Sequence, residues 1–208
     1  MISKNVQIFL TGLFLVLIMA CASGQPKMIM ESLSALPGGQ VTFAEKPLHL
    51  IGSPIAMGRP LPSVKLTDAM TMEDVDLSAL RGSVLFVSVV PSLDTPVCEA
   101  QTHYLGEKGT RMPPSIKRIT ISRDTPFAQK RFATEAKLTK IQYLSDYKEG
   151  AFGRSTGLLI DGLMLDARTV ILVDAQGVVR YIQVVPELTH LPDMEKAFDV
   201  ATELSKKG

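Results

Sequence analysis

The cysteine in the most suggestive surroundings is Cys98, which ends the segment PSLDTPVC at residues 91–98. Threonine favours the N-cap of a helix and proline favours the first helical position, so Thr95 and Pro96 predict that Cys98 lies in a first helical turn. The unpaired N–H groups and the positive dipole end there favour an anion, and the thiolate is the nucleophilic form of cysteine. The segment therefore predicts a reactive thiol, the alternative being a small buried hydrophobic side chain.

The remaining composition excludes several classes of protein. The chain of 208 residues is 46% hydrophobic and carries a formal net charge of +1, which fits one globular domain and neither a disordered chain nor a nucleic-acid-binding protein. Its two cysteines and three histidines have no zinc-ligand spacing, so we expect no metal site. His103 follows Cys98 by five residues, which is about 140° around a helix. We therefore predict a surface histidine rather than a partner of the thiol.

The first 21 residues differ in composition from the rest of the chain. After Lys4, residues 6–20 carry no charge, and this run is shorter than the roughly 20 apolar residues that span a bilayer. A short charged start, an apolar run and a small residue before a break are typical of a secretory signal. Because the run ends at Ala20-Cys21, which resembles a bacterial lipoprotein box, we expect removal of residues 1–20 and lipidation of Cys21. The alternative is an uncleaved anchor with an incidental cysteine.

The pattern of the remaining chain predicts a flexible tether at residues 21–40 and one folded domain at residues 41–208. A hairpin is expected at its start, around a turn at residues 45–47, followed by strands that alternate with helices and by a second hairpin and a closing helix. This order indicates an α/β fold of the thioredoxin-like kind, with a mixed central sheet flanked by helices. The predicted strands are 41–43, 48–51, 63–66, 83–90, 116–122, 141–145, 169–174 and 178–185, and the predicted helices are 95–108, 125–137 and 192–206.

Pro91, Thr95 and Cys98 match the P-x-x-x-T-x-x-C signature of the peroxiredoxins. Three longer segments, VVPSLDTPVCEAQ, ISRDTPFAQKRF and LDARTVILVDAQGVV, resemble the thiol peroxidase subfamily, and the similarity extends over residues 41–206. The resemblance implies a thioredoxin fold and an antioxidant peroxidase that reduces hydrogen peroxide and organic hydroperoxides.

The resemblance also implies a role for each matching residue. Cys98 would be the peroxidatic nucleophile and would pass to a sulfenic acid. Thr95 would hydrogen-bond the thiolate and the peroxide, and Pro91 would shield the sulfur from water. The active-site arginine of the family corresponds to Arg168, whose guanidinium would hold the sulfur anionic and polarise the peroxide.

The chain departs from the subfamily at Ala133, where thiol peroxidases usually carry a resolving cysteine. Cys98 is the single cysteine of residues 41–208, so we expect a one-cysteine cycle in which an external thiol, thioredoxin or a small thiol, reduces the sulfenic acid. The alternative is a family member that has lost turnover. The resemblance further implies a homodimer and no metal, haem or nucleotide cofactor.

The sequence therefore predicts an exported peroxidase that a lipid anchor holds on a membrane, at the periplasmic or cell-envelope face. The competing prediction is a non-catalytic redox-sensing or binding lipoprotein on the same scaffold. A thiol-disulfide oxidoreductase is disfavoured, because no C-x-x-C pair is present.

Overall fold

The computed structural model describes residues 28–207. The predicted signal sequence, Cys21 and the first part of the predicted tether lie outside the described residues. Among the described residues, no helix is long and apolar enough to cross a membrane.

The order of elements confirms the predicted alternation of strands and helices. The strands are β1 (Met30–Glu31), β2 (Gln40–Phe43), β3 (Lys46–Ile51), β4 (Lys65–Asp68), β5 (Asp74–Asp76), β6 (Leu85–Val89), β7 (Lys117–Ser122), β8 (Gln142–Ser145), β9 (Leu159–Ile160), β10 (Thr169–Val173), β11 (Val179–Val184) and β12 (Leu191–Pro192). The helices are α1 (Pro96–Glu107), α2 (Pro126–Ala136), α3 (Ala151–Thr156) and α4 (Met194–Ser205), with short 3₁₀ turns at Leu77–Ala79 and Lys108–Arg111.

A mixed sheet of seven strands forms the centre of the molecule, in the order β11-β10-β6-β7-β8-β4-β5. Strands β6, β7 and β8 are parallel, whereas β10 runs antiparallel to both β6 and β11. One apolar layer joins the sheet to α1, α2 and α4, and the other joins it to α3 and the β2–β3 hairpin. The thioredoxin-like fold with a mixed sheet flanked by helices is therefore confirmed.

Strand β6 lies inside the sheet and delivers the chain to the segment that carries Cys98. Its five residues are all buried, which the continuous run of apolar and β-branched side chains predicts for a strand covered on both faces. The chain leaves β6 at its carboxyl end and enters α1 at Pro96. Because β6 is held between β10 and β7, the start of α1 has a fixed place relative to both strands.

The predicted tether at residues 21–40 is wrong for its second part. Met30 and Glu31 pair in parallel with Leu191 and Pro192, and Ala35 N–H donates to the carbonyl of Val184 at 2.8 Å. A two-residue strand has no periodicity to detect, and its partner lies about 160 residues further along the chain. The packed part of the chain therefore begins near residue 29 instead of residue 41.

The hairpin at residues 40–51 is confirmed, with its turn one or two residues earlier than the predicted 45–47. Ala44 and Glu45 adopt the left-handed conformation, with φ of 49° and 66°, and Lys46 already belongs to β3. The side chain of Glu187 holds this turn, since its carboxylate accepts from the Thr42 hydroxyl at 2.7 Å and from the N–H groups of Ala44 and Glu45 at 3.1 Å each. One half-buried carboxylate therefore links the hairpin to the loop that follows β11.

Candidate active site

Cys98 is the third residue of α1, as the sequence predicts, and its side chain is 1% exposed. Thr95 occupies the N-cap position, but its side chain makes no capping hydrogen bond. Its hydroxyl instead donates to the carbonyl of Ser92 at 2.9 Å. Because the proton of the hydroxyl is used in that bond, the lone pairs of the Thr95 oxygen are left to accept from a molecule in the adjoining cavity.

The guanidinium of Arg168 reaches the sulfur of Cys98. Its Nη2 lies 3.4 Å from Sγ, although the two residues are 70 positions apart in the chain. Arg168 is 2% exposed, and its other nitrogens are bound as well: Nε donates to the carbonyl of Leu188 at 3.0 Å, and Nη1 donates to Oε1 of Gln101 at 2.7 Å. These three bonds fix the plane of the guanidinium against the thiol.

The charge of Arg168 has no carboxylate to balance it within the described part of the chain, where every salt bridge involves other residues. A buried guanidinium is costly unless it is paired and hydrogen-bonded. The partners it does have are a carbonyl, an amide oxygen and the sulfur of Cys98, and of these only the sulfur can carry a negative charge. The positive charge of Arg168 is therefore directed at the sulfur of Cys98.

Gln101 and Ser88 belong to the same network, and the sequence analysis missed both. The amide nitrogen of Gln101 donates to Oγ of Ser88 at 2.8 Å, while its amide oxygen accepts from Arg168. All three side chains are buried, so the orientation of the Gln101 amide is fixed from both ends. The spacing of three residues from Cys98 to Gln101 was a usable signal, since it places both on one face of α1.

A carboxylate from another element holds the segment that precedes α1. Asp124 accepts from the Ser92 hydroxyl and from the Leu93 N–H, both at 2.7 Å, and from the Ser122 hydroxyl at the end of β7. The loop that carries Pro91 and Thr95 is therefore attached to the neighbouring strand. The sequence analysis did not find Asp124, because its two partners in the loop before α1 are 32 and 31 positions away in the chain.

An apolar cavity of about 500 Å³ opens beside the sulfur. Three of its lining residues, Pro91, Thr95 and Arg168, were predicted for the site together with Cys98. The other walls are mainly apolar and come from the hairpin, the start of α1 with the loop before it, β9 with the loop that follows it, and the loop after β11: Phe43, Ser92, Pro96, Val97, Ile160, Leu163, Leu165, Leu188 and Thr189. A larger cavity of about 620 Å³ opens near the starts of β7 and β8, and none of the predicted site residues lines it.

The two remaining sequence candidates take no part in the hydrogen bonds that join Cys98, Arg168 and Gln101. His103 is partly exposed and lies 2.9 Å from a carboxylate oxygen of Glu107, as expected of a surface histidine. Ala133 lies buried on α2, within the same apolar layer as Cys98. Among the described residues Cys98 is a free thiol.

A fully buried carboxylate stands two residues before Arg168 in the chain. Asp166 is fully buried, and neither of its carboxylate oxygens has a hydrogen-bond partner among the described residues. Burial, and then the nearby Asp146, raise the pKa of Asp166 well above its usual value, and Arg123 opposes them. Gly153 leaves the space for this side chain, since a Cβ there would meet Oδ1 of Asp166 at 2.1 Å. The protonated form of Asp166 is therefore favoured.

Comparison with known proteins gives one consistent family. The sequence profile of the Redoxin family matches residues 56–198. The thiol peroxidase of Halalkalibacterium halodurans is 37% identical over 161 residues, which are 77% of this chain and 96% of that protein. The thiol peroxidase of Bacillus subtilis is 35% identical over 167 residues, which are 80% of this chain and 99% of that protein.

Solved structures agree with this family. A peroxiredoxin-like protein from Aquifex aeolicus superposes with a TM-score of 0.75 at 29% identity, over 83% of this chain and 99% of that chain. A thiol peroxidase from Chromobacterium violaceum superposes with a TM-score of 0.66 at 24% identity, over 79% and 96% of the two chains, a likeness that concerns the fold alone.

Proposed function

Because this chain belongs to the redoxin family, as a peroxiredoxin of the thiol peroxidase subfamily, we propose that Cys98 is the sulfur that attacks hydroperoxides and that the enzyme turns over with this cysteine alone. The observation that carries the proposal is the distance of 3.4 Å between Nη2 of Arg168 and Sγ of Cys98, at the wall of an apolar cavity.

In the first step the thiolate of Cys98 attacks one oxygen of the hydroperoxide. The new S–O bond forms as the O–O bond breaks, so that the sulfur is oxidised to a sulfenic acid and the peroxide is reduced. The departing oxygen leaves as an alkoxide or hydroxide and takes up a proton to give an alcohol or water. The enzyme must therefore supply a thiolate, hold the peroxide in line, and stabilise the charge on the departing oxygen.

Arg168 meets the first and the third of these requirements. Its charge favours the thiolate, and its N–H groups are fixed by Gln101 and by the Leu188 carbonyl, so they require no reorganisation when negative charge moves to the peroxide. Thr95 has a hydroxyl whose proton is already donated to Ser92, which leaves an oxygen that can accept from the O–H of the substrate. Pro91 contributes an apolar wall beside the sulfur and keeps water away from it.

The second half of the cycle depends on an external thiol. Ala133 stands at the position of the usual resolving cysteine, so we expect the sulfenic acid to condense with an external thiol, release water and form a mixed disulfide. A second external thiol then returns Cys98 to its reduced form. Small thiols should support this cycle better than thioredoxin, which reduces a disulfide that this chain lacks.

The proposed location of the enzyme rests on its first 21 residues. The charge-free run of residues 6–20 and the Ala20-Cys21 junction support export, cleavage before Cys21 and attachment of lipid to that cysteine. The domain would then work at the periplasmic or cell-envelope face of a membrane, as a homodimer like that expected from the family resemblance. Intact-mass analysis of a membrane fraction should find a chain that begins at Cys21 and carries acyl groups, and a soluble chain that retains Met1 would contradict it.

Steady-state peroxide consumption with dithiothreitol as the reductant tests the role of the site. Cys98→Ser should abolish consumption, and Arg168→Ala should lower its rate by on the order of 10²–10³ without unfolding the protein. Arg59→Ala removes an exposed arginine outside the cavity lining and serves as the matched control. Activity in the Cys98→Ser protein would show that the nucleophile is assigned wrongly. Loss of the Cys98 thiol after one equivalent of peroxide without turnover would favour a redox sensor.

A further inference from the structure

The N-terminal segment, residues 29–36, exposes an unusual run of apolar side chains. Leu33 and Leu36 are 68% and 76% exposed, and Ile29 and Met30 are exposed as well. The one charged residue of the segment, Glu31, has a side chain that is only 17% exposed and is paired with His190. Single exposed apolar residues are common, but several neighbouring exposed apolar residues are typical of a surface that meets a partner or a membrane.

This segment is fixed to the body of the protein. The carbonyl of Ile29 accepts from Leu191 N–H at 2.8 Å, and the side-chain amide of Gln183 donates to the carbonyls of Glu31 and Leu33 at 2.6 and 3.2 Å. Ala35 continues the contact along β11 through its bond to Val184. The backbone groups of the segment therefore bond to the body of the protein, while its apolar side chains stay exposed to the surroundings.

The chain before this segment limits how far it can be from a membrane. Residue 28 is only seven positions after Cys21, and seven steps of fully extended chain span at most about 25 Å. If lipid is attached at Cys21, as proposed above, the N-terminal segment must therefore remain within about 25 Å of the bilayer surface. The tether is too short for the protein to present an arbitrary face to the lipid.

We propose that the N-terminal segment is a docking surface for the phospholipid bilayer, on which its apolar side chains enter the boundary between the headgroups and the acyl chains. The inference rests on the proposed lipid anchor. An apolar face of this kind binds an interface in proportion to the apolar area that it buries there, and the anchor makes that contact intramolecular.

Docking of this segment brings the mouth of the active-site cavity close to the lipid. Met30 pairs with Leu191, which is three residues from the cavity-wall residue Leu188. One strand spacing and three residues of chain amount to about 15 Å at most. Phe43 and Leu163, which also line the cavity, are exposed apolar residues. Hydroperoxides that partition into the interface would therefore lie near the entrance of the cavity.

A single tryptophan placed in the segment reports its depth directly, because the chain contains no native tryptophan. The full chain carrying Leu36→Trp is reconstituted in vesicles of phosphatidylcholine and phosphatidylglycerol, with or without bromine on the acyl chains, which quenches a tryptophan only on close approach. We expect brominated lipid to reduce the emission about twofold. Leu33→Trp provides an independent second site in case one variant fails to fold.

The matched control is Met70→Trp, at a residue that is 45% exposed between β4 and β5. These strands lie at the opposite end of the sheet from β11, five and six strand intervals away, which is about 24–29 Å at roughly 4.8 Å for each interval. Its emission should be the same with and without bromine, and both variants should keep the peroxidase activity of the parent.

The outcomes separate the docking surface from the anchor and from the enzyme. Flotation with the vesicles but equal emission from Leu36→Trp in both lipids overturns the docking surface and leaves the anchor in place. If the protein does not float with the vesicles, both the docking surface and the lipid anchor are wrong. A blue-shifted emission in detergent that grows with protein concentration would show a second copy of the chain on the segment, and this also overturns the proposal. None of these readouts depends on turnover at Cys98.

Discussion

Removing the charge of Glu187 should loosen one wall of the cavity and destabilise the protein in a pH-dependent manner. Burial raises the pKa of this carboxyl, but hydrogen bonds from the Thr42 hydroxyl and from the N–H groups of Glu45 and Thr189 outweigh burial and lower it from 4.5 to about 2. Glu187→Gln keeps the volume of the side chain but replaces one acceptor oxygen by a donor that faces other donors. Phe43 and Leu188, on the two segments that Glu187 joins, both line the cavity.

The magnitude follows from the shift in the pKa. A fall from 4.5 to about 2 corresponds to about 3.4 kcal/mol at 1.36 kcal/mol for each unit. Because Glu187 is only partly buried, solvent screening reduces this to about 1–2 kcal/mol. A lowered pKa contributes stability above the unfolded value, and that contribution is lost as the pH falls through the folded value. At pH 3 the carboxylate should contribute less than about half of the stability that it contributes at pH 7.

Urea unfolding of the parent and of Glu187→Gln at pH 7 and pH 3 measures this contribution. At pH 7 the variant should have a free energy of unfolding lower by about 1–2 kcal/mol, and the difference should shrink at pH 3. Glu149→Gln, which changes an exposed glutamate, is the control for a lost surface charge. A difference that is equal at both pH values, or no larger than that of the control, would refute the view that the carboxylate charge holds the hairpin.

Three further predictions concern the buried polar groups and the cycle. Asp166→Asn should raise the free energy of unfolding relative to the parent by more at pH 7 than at pH 4, because the pKa of Asp166 is raised above 3.8 in the folded state and the parent therefore loses stability as the pH rises. Urea unfolding that shows the same difference at both pH values would contradict a buried protonated carboxyl. Gln101→Leu should lower kcat/KM by about tenfold with unchanged circular dichroism, and Gln101→Glu should be no more active than Gln101→Leu, because its carboxylate would compete with the sulfur for the charge of Arg168. Ala133→Cys should return a second thiol to the domain, so that mass spectrometry after one equivalent of peroxide finds an intrachain disulfide in the variant and a trappable sulfenic acid in the parent.

The parts of the site that the sequence predicted are those with local signals. The apolar run of β6 and the Thr95-Pro96 pair together fix where a strand ends and a helix begins, and these boundaries placed Cys98 in a first turn. The same threonine shows the limit of a local signal. Its backbone takes the N-cap position, but its hydroxyl bonds to Ser92, because a carbonyl of the preceding turn competes with the helix for the hydroxyl.

The parts that the sequence could not predict without a family resemblance depend on distant residues. Arg168 contacts a sulfur 70 positions away, and no periodicity brings the two together. Asp124 holds the loop before α1 from a different strand end, and Gln101 acquires its role only through the arginine. The packing of the N-terminal segment was predicted wrongly for the same reason, since its partners lie on the far side of the sequence.

The pairing of the N-terminal segment with β11 and β12 also orders the folding of the chain in time. Glu31 can bond to Gln183, and Met30 can pair with Leu191, only when almost the whole polypeptide is available. Contacts that close so long a loop form late, since the entropy of closure must be met before they stabilise anything. During synthesis the segment therefore leaves the ribosome before its partners and reaches its native place last. Until that moment the backbone groups near the ends of β11 and β12 with which the segment pairs stay open to wrong pairing, and a chain truncated before residue 183 lacks all of these partners.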